Sequence, residues 1–183
     1  VLRADDHTRM PWANGGGTTY QVAASPQGSD LDSFDWRVSF ADVDTDGPFS
    51  TLPGVDRILL VVEGAGMDLV VDGRSVSLGR LDALPFDGAA DTTAGLVDGP
   101  TKDLNVMTRR GRCTATLDVV TVAGAVDVAP VEGGVVLAVV VDGDVRAEDV
   151  PLWQRDVLVV DRATALRGTA TVAVIVVRPV GTA

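Results

Sequence analysis

The chain predicts an all-β, antiparallel fold on three observations. Its apolar residues come in short runs broken by Asp-Gly, at Asp46-Gly47, Asp72-Gly73, Asp87-Gly88, Asp98-Gly99 and Asp142-Gly143. Asp-Gly supplies the positive φ angles of tight hairpin turns, and between such runs it is the strongest short-range hairpin signal. The hydrophobic fraction of 46% is skewed toward Val and Ala, with Thr in the same runs, and β-branched side chains fit a pleated, half-buried surface. Finally, Lys102 is the only lysine and Glu63, Glu132 and Glu148 are the only glutamates, so Glu-to-Lys pairs at helical spacing cannot support exposed helices.

Along the chain, Met10-Pro11-Trp12-Ala13-Asn14-Gly15-Gly16-Gly17-Thr18-Thr19 comes first. Three consecutive glycines expose backbone N–H groups and permit close approach of an anion. The loop lacks the Gly-Lys-Ser/Thr ending of a phosphate-binding loop and leads into a strand at Thr19 to Ala23 rather than a helix. A turn or bulge into that strand is the plain alternative. Phe34 to Phe40 alternates, placing Phe34, Trp36, Val38 and Phe40 on one face and Arg37 and Ser39 on the other, as in a half-buried strand. Ile58 to Val62 is apolar on both faces, so Arg57 stands at the mouth of a wholly buried strand. A guanidinium there needs a carboxylate, either from a ligand or from Asp56, Asp42 or Asp103. Leu84-Pro85-Phe86-Asp87-Gly88 reads as a rim turn with little chemistry of its own. Thr101 to Arg109, read as a strand, puts Asp103, Asn105, Met107 and Arg109 on one face, and Asn beside Met suits a pocket.

Residues 59–86 and 137–162 both read strand, turn, strand, turn, strand, which points to two similar halves. The Gly-, Ala- and acid-rich segment 122–134 is the candidate junction, giving domains 1–121 and 122–183. Strand, glycine turn, strand in this order resembles a cupin, and the expectation is a bicupin: two cupin-like β-barrels of the RmlC-like jelly-roll type in one chain. Cupins commonly hold a metal with a histidine cluster. His7 is the only histidine and Cys113 the only cysteine, so a three-histidine site is excluded and neither a metal nor a cofactor is expected.

The formal net charge of -11, from 15 basic and 26 acidic residues, repels phosphate backbones, so nucleic acid is not an expected partner. Apolar runs such as Val135 to Val141 and Thr171 to Val177 are far short of the roughly 20 residues that span a bilayer. A single cysteine excludes an intrachain disulfide and the first residues lack the pattern of a signal peptide, so the cytoplasm is the expected compartment. A homodimer is expected only by analogy with cupins.

The stretches MPWANGGGTTYQVA, FDWRVSFADVDTDGPFSTLPGVDRILLVVEG, LPFDG and DGPTKDLNVMTRR, in that order, resemble the HutD/Ves family of bacterial proteins. The resemblance implies a two-cupin fold without the usual metal site and an association with histidine utilisation. It also implies a ligand among small acidic intermediates such as formylglutamate or urocanate. The pocket it implies lies in the N-terminal barrel, at Trp12, Asn14, Gly15, Gly16, Gly17, Thr18, Arg57 and Asn105. Trp36 and Met107 join these from the strand patterns. Departures include Ala13, where the family usually has lysine, and Gln21, where it usually has an acid. The reading that follows is a small-carboxylate binding protein with a regulatory role, held by Arg57 and Asn105 against Trp12 or Trp36. A metal-free isomerase or lyase, drawing on Tyr20, His7 or Glu63, is the alternative. A structural or protein-binding module is the third.

Overall fold

The computed structural model describes residues 1–12 and 15–181. The chain forms two compact units, Thr8–Arg112 and a second that joins Val1–His7 to Cys113–Ala183. No helix among the described residues is long and apolar enough to cross a membrane.

The larger unit contains β1 (Thr8–Pro11), β2 (Gly17–Ser25), β3 (Trp36–Val43), β4 (Gly47–Pro48), β5 (Val55–Glu63), β6 (Met67–Val71), β7 (Arg74–Leu78), β8 (Ala83–Asp87), β9 (Thr92–Leu96) and β10 (Thr101–Arg109). They form a six-stranded sheet in the order β1-β2-β3-β10-β5-β8 and a four-stranded sheet in the order β4-β9-β6-β7. All pairings are antiparallel. Among the described residues these ladders end at edge strands and do not close into a ring. One buried cluster joins both sheets, with Val43, Leu59 and Val61 from the first and Met67, Leu69 and Ala94 from the second. Asp72-Gly73 makes the β6–β7 hairpin with φ of 47° and 77°, as its turn chemistry predicts.

The smaller unit contains β11 (Cys113–Val128), β12 (Val135–Ala147), β13 (Val150–Leu152), β14 (Val157–Val159) and β15 (Thr164–Pro179). Its sheet runs β11-β15-β12-β13, with β14 also on β12. The N-terminal residues belong here because Leu2 bridges Val157 and Arg3 pairs with Asp156 at 2.6 Å. Two sequence expectations are corrected. Asp142-Gly143 is not a hairpin turn: the pair lies inside β12 just after a bulge between Val140 and Asp142, and Gly143, at φ 78°, is where a Cβ would meet the Thr169 carbonyl oxygen at 2.3 Å. Segment 122–134 is not a linker at its start, because Val122 to Val128 continues β11 in register with β15. Glycine and alanine there fill pleat positions with small side chains, which composition alone reads as a loop.

β3 is buried on both faces rather than one. Val38 and Phe40 are inaccessible on one side, and Arg37 and Ser39 are equally buried on the other. The polar face of this strand therefore looks into the protein.

Gly17 opens β2, and a Cβ on it would lie 2.2 Å from the Asp42 carbonyl oxygen and 3.0 Å from the Trp12 ring. Gly17→Ala should destabilise the protein by about 3 kcal/mol, as expected of overpacking against backbone. Gly47→Ala, with nothing within 4 Å of the new methyl, should stay within about 0.5 kcal/mol. Urea denaturation of the two variants provides the comparison.

Candidate functional site

β10 lies between β3 and β5, and the pleat puts Asp103, Asn105 and Met107 on its inner face. The register places Met107 opposite Arg37 on one side and Arg57 on the other, and Asn105 opposite Ser39. These side chains line a cavity of about 530 Å³, with Trp12, Thr19 and Phe49 among its other walls. That volume suits a small metabolite.

Arg57 is 6% exposed. Its Nη2 donates to Asn105 Oδ1 at 2.8 Å, while its Nε is buried with no hydrogen-bond partner. The guanidinium carbon lies 4.9 Å from the ring centroid of Phe86 and 5.3 Å from that of Phe49, a geometry in which ring faces attract a cation. Burial lowers its pKa to about 10, the Asp103 charge opposing and Arg37 adding to the shift. The group therefore stays charged at neutral pH. None of the three acids proposed as structural partners forms an ion pair with it: Asp56 pairs with Arg110 at 2.6 Å, Asp42 pairs with Lys102, and Asp103 accepts from Asn105 Nδ2.

Arg37, also 6% exposed, donates through Nε to Gln21 Oε1 at 2.8 Å, and burial lowers its pKa. The amide holds the guanidinium without neutralising it. Asp103 is 1% exposed, and burial pushes its carboxyl up to about 7; Arg57 and the Asn105 hydrogen bond pull it down and Asp42 pushes it further up. The cavity thus carries two guanidiniums against one reluctant carboxylate.

Of the residues singled out in the sequence, the structure brings Trp12, Arg57, Asn105 and Met107 together on this wall. Asn14 lies outside the described residues. Gly15, Gly16 and Gly17 do not line the cavity; Gly15 N–H donates to the Trp12 carbonyl at 3.0 Å and Trp12 N–H to that of Gly17 at 3.0 Å, so these glycines serve the path from β1 into β2. Thr18 pairs with Pro11 and Asp42 and lies on the face of β2 opposite Thr19, which lines the cavity. Trp36 occupies the face of β3 opposite Arg37 and does not reach the cavity, because side chains alternate along a strand. Tyr20 likewise faces away, beneath the Lys102 ammonium at 5.8 Å. Arg109 does not line the cavity: its Nε donates to the Phe34 carbonyl at 3.3 Å and its Nη2 to the Leu31 carbonyl at 3.1 Å, tying down a loop whose Leu31 forms part of the rim.

Among the described residues, no group of three or more His, Cys, Asp or Glu is placed to hold a metal ion. His7 belongs to the smaller unit. A model of the HutD family matches residues 4–176. The chain belongs to the HutD family. It is 42% identical over 118 residues to an uncharacterized 21.2 kDa protein in the hutC 3′ region of Pseudomonas putida, covering 64% of this chain and 62% of that protein. It is 36% identical over 119 residues to protein Ves of Citrobacter koseri, covering 62% and 61%. The matched stretch thus spans less than two thirds of either relative. Over 98% of both chains it superposes on HutD from Pseudomonas fluorescens SBW25, solved in a formate condition, with a TM-score of 0.86 and 32% identity. A cupin 2 conserved barrel domain protein from Leptotrichia buccalis shares the fold at a TM-score of 0.60 and 9% identity, over 98% of this chain and all of that one. The fold is all-β and cupin-like.

In this HutD-family chain, several residues that line the cavity or pack on its arginine escaped the sequence reading. Phe86, assigned to a rim turn, stands opposite Arg57 in the β5–β8 ladder and stacks on it. Phe49 follows Gly47-Pro48, whose turn chemistry drew attention away from it. Arg37 and Ser39 were visible as one polar face of β3, yet nothing local showed that this face looked inward.

The raised carboxyl of Asp103 has a signed consequence for stability. Its folded pKa of about 7 lies above the ordinary carboxylate value. The folded state therefore holds a proton that the unfolded chain releases, and stability from this group is full below about pH 4 and lost as pH rises to about 7. Asp103→Asn should leave Tm nearly unchanged at about pH 4 and raise it by about 2 to 6 °C at about pH 8, as followed by thermal scans.

Proposed function

We propose that this chain is a small-molecule binding protein whose cavity holds a carboxylate on Arg57 and Asn105, and that it plays a regulatory part in histidine utilisation. One observation carries the reading: a buried, charged guanidinium whose single hydrogen bond is to a neutral amide, with Nε unpartnered, on the wall of a metabolite-sized cavity. A buried charge without a counter-charge is costly, and a ligand carboxylate supplies both the charge and the acceptors. Arg37, held by Gln21 rather than by an acid, adds a second cation to the same wall. The link to histidine utilisation rests on the relative named for its place 3′ of hutC. Formylglutamate and urocanate are the ligands of choice. In this reading the protein is cytoplasmic, and its two units are two cupin-like barrels of one bicupin.

An isomerase or lyase has one observation in its favour, the near-neutral carboxyl of Asp103 in the cavity. Tyr20, His7 and Glu63, the groups considered for that chemistry, do not line the cavity, which leaves acid–base chemistry with one group where two are wanted.

Calorimetric titration with formylglutamate, urocanate and formate should give a micromolar dissociation constant for at least one of them, the range expected of one bidentate arginine contact with apolar packing. Arg57→Gln should weaken that binding by about ten- to a hundredfold. Absence of heat and of any thermal shift with all three acids would overturn the reading. NMR spectra of the ligand after incubation should show it unchanged, and its conversion would establish the enzymatic alternative.

A further inference from the structure

Asp103 is the one acidic residue on the cavity wall among the described residues. It is buried and accepts a hydrogen bond from the Asn105 side-chain amide, whose oxygen is in turn the acceptor for Arg57. None of the cations around it forms an ion pair with it. Lys102, on the opposite face of β10, pairs with Asp42 of β3. Arg57 of β5 donates to Asn105, and Arg37 of β3 donates to Gln21. Asp103 takes part in none of the ion pairs among the described residues. The remaining walls, from β1, β2, β4 and the loops that carry Leu31, Phe49 and Leu52, add no ionisable side chain.

An anion seated on Arg57 brings a second negative charge into the cavity on whose wall this carboxylate is buried. Two carboxylates sharing such a site do not both remain ionised, and one of them takes a proton. The ligand contacts Arg57 directly, whereas Asp103 feels that cation only through space and forms no ion pair with it, so the proton falls to Asp103. We propose that the cavity captures its carboxylate together with one proton, and that Asp103 is the residue that holds that proton. The proton comes from solvent, and no other bond is made or broken. This rests on the carboxylate-binding reading above and adds its specificity: the charge of the one carboxylate seated on Arg57 is offset by the proton taken up, so a monocarboxylate such as formate leaves the cavity charge unchanged.

The coupling works near neutrality, because burial already places the free carboxyl at about 7. Arg57, at about 10, stays charged throughout that window. Below about pH 6 the carboxyl is protonated before and after binding, and affinity is flat. Above about pH 7 affinity falls by up to tenfold per pH unit, because each binding event then takes up a proton.

The test is calorimetry of the wild-type protein with formate and with formylglutamate at about pH 8, in HEPES and in Tris, whose ionisation enthalpies differ. The observed heats should differ between buffers by an amount equivalent to uptake of about 0.5 to 1 proton per ligand, and this difference should vanish at about pH 5.5. Asp103→Asn should bind more tightly than wild type at about pH 8, with the same heat in both buffers. Identical heats for the wild type in the two buffers at about pH 8 would overturn proton-coupled capture while leaving carboxylate binding in place. No heat with either acid at any pH would remove the binding reading, and this inference with it. The wild-type measurement decides the matter even if the variant folds poorly.

Discussion

A guanidinium keeps its charge under conditions that neutralise other buried groups, and Arg57 is placed where that property governs its surroundings. Its exposure is 6%, its aliphatic stem leaves a buried strand, and its head lies between Phe49 and Phe86. Ring faces and one amide oxygen offset part of the desolvation, and the unpartnered Nε marks the part that they do not. The order of the six-stranded sheet follows the same logic. With β10 between β3 and β5, the amide of Asn105 comes within reach of Arg57 from the neighbouring strand, and Met107 separates the two guanidiniums without adding charge.

The cavity and the whole chain have opposite electrical character. The formal net charge is -11, so the long-range field repels an approaching anion, whereas the wall near Arg57 and Arg37 attracts one at short range. Long-range repulsion is screened within about 8 Å at physiological salt, while contacts in a partly dry cavity are not. Affinity is therefore set locally and association gains no electrostatic steering. Gln21 sharpens this balance. An acid at that position would neutralise Arg37; the amide holds the guanidinium and leaves its charge available.

Local pattern was enough to show the strands and much of the inner wall. Alternation in 34–40 and 101–109 sorted Arg37 with Ser39 and Asn105 with Met107, and Asp72-Gly73 is the hairpin its chemistry predicts. What local pattern lacks is direction. A polar face on a strand reads as solvent-facing until its neighbours are known, and for β3 the neighbours make it the wall of a cavity. Trp36 was drawn to the site by its chemistry and excluded by the pleat. Phe86 was overlooked because its importance lies in standing across from Arg57, a pairing fixed by register between β5 and β8. Asp142-Gly143 shows the converse: the same dipeptide that turns a hairpin also follows a bulge inside a strand, and only the partner strand β15 decides between them.

The cupin-like fold constrains the chemistry less than its name implies. At 9% identity to a cupin barrel protein, what is shared is the path of the backbone, and a backbone presents inward positions without choosing what stands on them. Here the inward positions of the central strand carry Asp103, Asn105 and Met107, and those of its neighbours carry Arg37, Ser39 and Arg57. An imidazole cluster at such positions makes a metal site. In the proposed reading, two guanidiniums flanking Met107, one of them hydrogen-bonded to a neutral amide, make a site that takes an anion, and a lone buried carboxyl on the same wall couples its arrival to a proton. The recognition chemistry of this chain is thus decided by a few inward residues on three adjacent strands.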